Sequence, residues 1–373
     1  MSKTYFISNC SWQNTKVGNG YFLNGLFTLN KSLNDFSLIS INPNNKFNNS
    51  KERSFYYKEK KFSPLKVIDI ILYFFCSLLR NTDKKINSNY ILSTSTLEYL
   101  NIFLIKKYQI KSYLMIDSLF DDYYHSKNIF KNIFSPLAYI VECLYIISGL
   151  ERIILNSEIV ATKFKSRYNF LLKICKVKVS SSSIWINDQS LDIAHNTIIN
   201  NNYFLIHGNF DFNQNYHGVE EFALSVKKNQ RHFKHKIDSD LIIAGKSADR
   251  IKLESILHLK LIFKNVEIKP NPRIIEDYIK FSNAVIVAST EANGPKIKVL
   301  ESCLSNKLTL AHKNVASFYP DRFPNLVKYK NFKDLYEILK NYKEFHEVQV
   351  SKEIRSKWSK ENRIQDLILK LNL

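Results

Sequence analysis

Residues 291–301 read EANGPKIKVLE, a polar loop holding a glycine and a proline, followed by a lysine and a glutamate spaced three apart. If a helix starts here, Lys298 and Glu301 lie one turn apart on the same face. Pro295 is pre-set for a first helical turn, and Gly294 sits at the turn into it. The free N–H groups of that turn and the positive end of the helix dipole form an anion site, which Lys298 would complete. Such a pair can divide a nucleotide diphosphate: the cation takes the phosphates and the carboxylate accepts from the ribose hydroxyls. On spacing alone, the same two residues would serve equally well as an ordinary exposed helical pair.

The elements around this stretch repeat one pattern, in which short β-branched or aromatic runs alternate with longer helical ones, as βα units on a parallel sheet require. The first half offers strands at 4–10, 36–42, 89–95, 112–118, 152–157 and 175–180. A Ser/Asn-rich stretch at 181–202 then interrupts the pattern and is taken to hold the interdomain linker. Strands resume at 203–208, 240–245, 265–270, 284–289 and 307–312, with helices near 217–230, 247–258, 273–281 and 295–305. The first two of these strands end in glycine, where a backbone can approach a phosphate beyond the carboxyl edge of a sheet. No short repeat is present. The expected fold is therefore α/β, with two Rossmann-like domains facing each other across a cleft. Their bounds are 1–190 and 191–350, and a C-terminal helix at 351–373 packs back toward the N-terminal domain.

Composition narrows the chemistry. The chain has 373 residues, enough for two cores, and 45% are hydrophobic, which excludes a disordered protein. Its five cysteines are scattered and suggest neither a disulfide framework nor a zinc site, consistent with a cytoplasmic protein. The apolar runs at 67–79 and 136–149 are too short for membrane spans and carry Asp69 and Glu142, so they read as buried helices. The net charge of +20 favours an anionic partner. That excess is spread as +12 over residues 1–190 and +8 beyond, with no Arg-rich arm, so nucleic acid is not expected. His195, His207, His232, His235, His258 and His312 show no metal-ligand spacing and read as structural or surface groups. No GxSxG elbow is present, which ranks hydrolases low.

The segment NGPKIKVLESCL resembles the GxxxKxLEA segment of family 4 glycosyltransferases, retaining enzymes of the GT-B fold. That resemblance implies Lys298 for the donor diphosphate and Glu301 for the ribose. It assigns the loop of Asn293, Gly294, Pro295, Lys296 and neighbouring Val299 and Glu291 to the donor sugar and phosphate. Residues 204–223, 240–251 and 265–289 are similar to the preceding elements of that family's C-terminal domain, implying Asn209, Gly245 and Lys246 near the nucleotide. In the N-terminal half, VGNGYF places Gly18 and Gly20 in a glycine loop facing the diphosphate, and MIDSLFDDYYH brings Asp117 and His125 toward the reacting sugar or acceptor as catalytic candidates. Two departures stand out. The family's first glutamate falls on Asn293, and its Arg and Lys after the first C-terminal strand fall on Asn209 and His217.

The resemblance implies transfer of a sugar from a nucleotide-sugar donor to a glycan or lipid-linked acceptor, with retention, in surface polysaccharide synthesis. The nucleotide sugar would enter as substrate, with no further cofactor and no metal. A basic N-terminal half suits peripheral contact with an anionic membrane at its cytoplasmic face. The alternatives are another GT-B enzyme, either a nucleotide-sugar epimerase or an inverting transferase, and a non-enzymatic basic binding protein.

Overall fold

The computed structural model describes residues 4–8, 36–40, 52–54, 89–94, 105, 109–115, 135–181, 202–233, 235–291, 294–319, 323–345 and 349–371. Chain contacts divide it into two units, residues 1–183 with 364–373, and residues 184–363. The break between 183 and 184 falls inside the polar stretch 181–202. The chain rejoins the first unit at Ile364 rather than at 351, because Trp358 is buried in the core of the second unit with Tyr319 and Phe323.

In the first unit the strands are β1 (Thr4–Ser8), β2 (Phe36–Ser40), β3 (Glu52–Ser54), β4 (Asn89–Thr94), β5 (Ser112–Met115), β6 (Arg152–Leu155) and β7 (Lys178–Ser181). They form one sheet in the order β3-β2-β1-β4-β5-β6-β7, and every pairing is parallel. The strand expected at 175–180 begins only at Lys178. Lys176 takes a positive φ of 56°, and Val177 N–H donates to Leu172 O, which closes the preceding helix α2 (Glu158–Ile174) before the strand can start.

Helix α1 (Ser135–Ile147) matches the apolar run at 136–149, yet it is only half buried, with Ile140 54% and Ile147 53% exposed. Its Glu142 lies inward, accepting from Tyr168 Oη and from Arg167 Nη1 at 3.3 Å. A buried carboxylate needs such partners, and they account for an acidic residue in an otherwise apolar run. Among the described residues no helix is long and apolar enough to cross a membrane.

The second unit carries β8 (Tyr203–His207), β9 (Asp240–Gly245), β10 (Val266–Pro270), β11 (Ala284–Val287), β12 (Leu308–His312) and β13 (Leu326–Tyr329). All pair in parallel in the order β10-β9-β8-β11-β12-β13. Helices α3 (Asn213–Lys228), α4 (Leu253–Leu259), α5 (Ile275–Phe281), α6 (Ile297–Leu304), α7 (Lys313–Ala316), α8 (Phe332–Lys340) and α9 (Lys352–Trp358) cover both faces. Alternation along β8 sends Phe204 and Ile206 into one apolar cluster with Phe222, Leu259 and Leu335, and Tyr203 and Leu205 into another with Ile279. A final helix, α10 (Lys360–Leu371), crosses into the first unit, where Lys370 Nζ donates to Ser181 O at 2.7 Å.

Gly218 stands in the interior of α3, where glycine costs about 1 kcal/mol relative to alanine. Its use there has a packing reason: an added Cβ would lie 2.7 Å from Ala288 C and O and 2.8 Å from Ser289 N. The helix therefore rests directly on the backbone leaving β11. Because backbone cannot swing aside, the clash outweighs the propensity gain, and Gly218→Ala is expected to destabilise the protein by about 1–3 kcal/mol. Urea unfolding checks this, and a variant as stable as the parent would mean that α3 is not seated there.

Candidate functional site

In the second unit the strand order reverses between β8 and β11, and ligands in open α/β sheets bind outside the carboxyl ends at such a point. The loops leaving these two strands feed α3 and α6. Both helices point their N-termini toward that edge of the sheet. Helix α6 starts later than the sequence suggests: Lys296 is its N-cap, so Pro295 precedes the helix rather than opening its first turn. Tyr319 Oη donates to the Lys296 carbonyl, and Ser302 Oγ to the Lys298 carbonyl at 2.7 Å, which fixes the first turns of α6.

Lys298 and Glu301 are both partly buried at this edge. Lys298 Nζ donates to Asn215 Oδ1 at 2.6 Å and to His207 O at 3.3 Å. Burial first, and Lys296 second, push its ammonium down to about 7, against the pull of Glu301. Burial likewise pushes Glu301 up to about 7, helped by Glu276 and opposed by Lys298. Each group is thus held near the pH at which it can exist in either form. Ionisable groups perturbed in this way by burial mark a candidate site.

The glycine-ended strands come together here. Gly245 has φ +141°, and a Cβ on it would sit 1.9 Å from Gly208 O, so only glycine allows the ends of β8 and β9 to touch. Gly208 N–H donates to Ala244 O at 3.1 Å and Phe210 N–H to Lys246 O at 2.9 Å. Asn209 shapes the same loop: its Oδ1 accepts from Asp211 N–H at 2.9 Å and its carbonyl accepts from Asn215 Nδ2 at 2.8 Å.

The remaining expected donor residues divide. Lys296 lies at the site, where its Nζ donates to Gln214 Oε1 in the first turn of α3, and Gly294 and Pro295 lie on the approach to α6. Lys246 is held in an ion pair with Asp211 Oδ2 at 2.8 Å. Glu291 is exposed, and its carbonyl accepts from Ser289 Oγ at 2.8 Å. Val299 does not present its side chain to a ligand, since it is fully buried in the apolar cluster behind α6. Gly18, Gly20, Asp117, His125 and Asn293 lie outside the described residues.

Two contributors, Asn215 and Asp211, carry no signal in the sequence, and a third, His207, reads there only as a structural or surface group. Asn215 joins Lys298 to the β8–α3 loop, Asp211 gathers cations there, and His207 lies beneath Lys298. His207 is buried, and its Nε2 has no partner among the described residues. Burial and then Lys298 push it down to about 3, which keeps the ring neutral.

No protein-family model matches the chain, and no curated protein matches it in sequence. Solved structures do match it, over nearly its whole length. HepE of Anabaena in complex with UDP and glucose superposes with a TM-score of 0.69 at 13% identity, covering 100% of both chains. The α,α-trehalose 6-phosphate synthase of Burkholderia multivorans gives 0.67 at 7% identity, over 100% of this chain and 96% of that one. WaaG, a glycosyltransferase involved in lipopolysaccharide biosynthesis, gives 0.61 at 10% identity, over 97% and 94%. These neighbours are GT-B glycosyltransferases, and the chain shares their fold.

Proposed function

We propose that the protein is a glycosyltransferase, moving a sugar with retention from a nucleotide-sugar donor to a glycan or lipid-linked acceptor in surface polysaccharide synthesis. One observation carries the reading: Lys298 and Glu301, desolvated and one turn apart, stand at the switch point of a GT-B C-terminal sheet. HepE, which shares the fold, has been solved with UDP-glucose, and this supports a nucleotide sugar as the donor class.

In this reading the donor diphosphate lies against Lys298, Lys296 and the N–H groups that open α3 and α6. These stabilise the charge that grows on the diphosphate as the bond to the sugar breaks, and being fixed in advance they need no reorganisation. Glu301 accepts from the ribose hydroxyls and so sets the register of the nucleotide. Neutral His207 supports Lys298 from below without competing for the anion. Asp117 and His125 are the proposed groups at the reacting sugar and acceptor. A basic chain suits an acceptor held at an anionic membrane surface.

The test is thermal unfolding with UDP, GDP, CMP, ADP and their sugar conjugates, run beside Glu301→Ala. A ligand at 100 times its Kd adds about 2.7 kcal/mol to a folded state that alone binds it. One nucleotide should therefore raise the melting temperature, and Glu301→Ala should abolish that rise. If no nucleotide acts, or if its effect is indifferent to Glu301, the reading is wrong.

A further inference from the structure

Resting on the proposed donor site, we infer that Arg250, reaching in from the turn after β9, is a diphosphate-binding residue, and that Asp211 positions it together with Lys246. The β8–α3 loop supplies no cation of its own: residues 208–217 hold one acidic residue, Asp211, and no lysine or arginine. The charge is imported. After β9 the backbone turns sharply through Gly245 (φ +141°) and Ser247 (φ +56°) into a 3-10 turn at Ala248–Arg250. That turn aims two cations at the β8–α3 loop. Lys246 Nζ meets Asp211 Oδ2 at 2.8 Å, while Arg250 Nη1 meets Asp211 Oδ1 at 3.4 Å and Phe210 O at 3.2 Å.

The three side chains do not cancel. One carboxylate faces two cations, leaving a net positive charge beside the first turn of α3. Lys246, with the closer contact, is the main group holding the Asp211 carboxyl below its ordinary range. Arg250 is the looser partner. Both of its polar contacts use Nη1, its ring contact is with Tyr216 at 5.7 Å, and its side chain is 49% exposed. Its Nη2 and Nε donors are therefore uncommitted among the described residues, and a guanidinium fork suits two phosphate oxygens at once.

The geometry also ties Arg250 to Lys298. Asp211 N–H donates to Asn209 Oδ1, Asn209 O accepts from Asn215 Nδ2, and Asn215 Oδ1 accepts from Lys298 Nζ. One hydrogen-bonded loop thus carries a cation at each end.

Binding of UDP, GDP, CDP, ADP, uridine and inorganic pyrophosphate is measured by calorimetry for the full chain and for Arg250→Gln, Arg250→Lys and Asp211→Asn. Arg250→Gln should weaken the preferred nucleoside diphosphate and pyrophosphate about 10- to 30-fold, leave any uridine binding unchanged, and melt within a few degrees of the parent. Arg250→Lys should recover part of the loss, which a purely structural role would not explain. Asp211→Asn should weaken binding less than Arg250→Gln, since it misplaces the cations without removing them. If Arg250→Gln binds the diphosphate within twofold of the parent, this inference falls and the donor site stands. If the parent binds no diphosphate, the proposed function falls with it.

Discussion

Lys298→Met is expected to weaken nucleoside diphosphate binding by about 100-fold while raising the melting temperature of the unliganded protein at pH 6. The loss of affinity corresponds to about 2.7 kcal/mol, within reach of one desolvated cation that donates to an anion. The gain in stability follows from the same burial. Lys298 falls from 10.5 to about 7 on folding, so the unfolded chain binds more protons than the folded one between those values. Stability therefore rises with pH across that window, and the cost of the buried charge is fully present below about pH 7.

Methionine is unbranched and of similar length, so it fills the space without the charge. Lys298 and Glu301 form no direct ion pair among the described residues, so the substitution breaks no salt bridge. For a unit of this size each kcal/mol relieved is worth about 2–4 °C. The difference in melting temperature between variant and parent should shrink as the pH is raised from 6 toward 10. A variant that melts lower at pH 6, or a gap that ignores pH, would overturn the assignment of Lys298 as a buried charge awaiting an anion.

The burial that perturbs Lys298 and Glu301 is only half legible in the sequence. The lysine, the glutamate and the glycines flag a site locally because their spacing acts within one helical turn or one loop. Five of the six strands of the second unit are legible to within two residues, since buried parallel strands are continuous apolar runs bounded by polar ones. Strand β13 escaped because LVKY is short and only Tyr329 is fully buried. The helix expected at 247–258 divides because Ser247 takes a positive φ and Ile251 is extended, features that belong to the turn onto the β8–α3 loop.

What sequence could not supply is pairing across the sheet. Lys298 lies 83 positions from Asn215, and Arg250 lies 39 from Asp211, so no local pattern joins them. Gly218 is a clue of a different kind. A glycine inside a helical pattern costs about 1 kcal/mol, and here a packing reason offsets that cost by seating α3 on the backbone leaving β11.

Donor affinity should trace a bell against pH with its top near 7, and the two limbs should separate by mutation. Above about pH 7 free Lys298 loses its proton, and since the diphosphate requires the ammonium, affinity should fall up to tenfold per unit. Below about pH 7 Glu301 gains a proton and becomes a poorer acceptor for the ribose hydroxyls, so affinity falls again, less steeply because a neutral carboxyl still accepts weakly. The groups interact, so the two apparent values belong to the pair and not to either residue.

A nucleotide sugar is the better probe than a free diphosphate, because its phosphates are both diesters and keep constant charge over this range. Calorimetry from pH 5.5 to 9 should show a loss of up to about 50-fold between pH 7 and 9. Glu301→Gln should flatten the acid limb and keep the alkaline one, and Lys298→Met should do the reverse on a much weaker baseline. A flat profile through pH 9 in the parent would mean that the ammonium is not what holds the donor. The charge would then have to come from Lys296 or from Lys246 and Arg250, the last two of which are exposed.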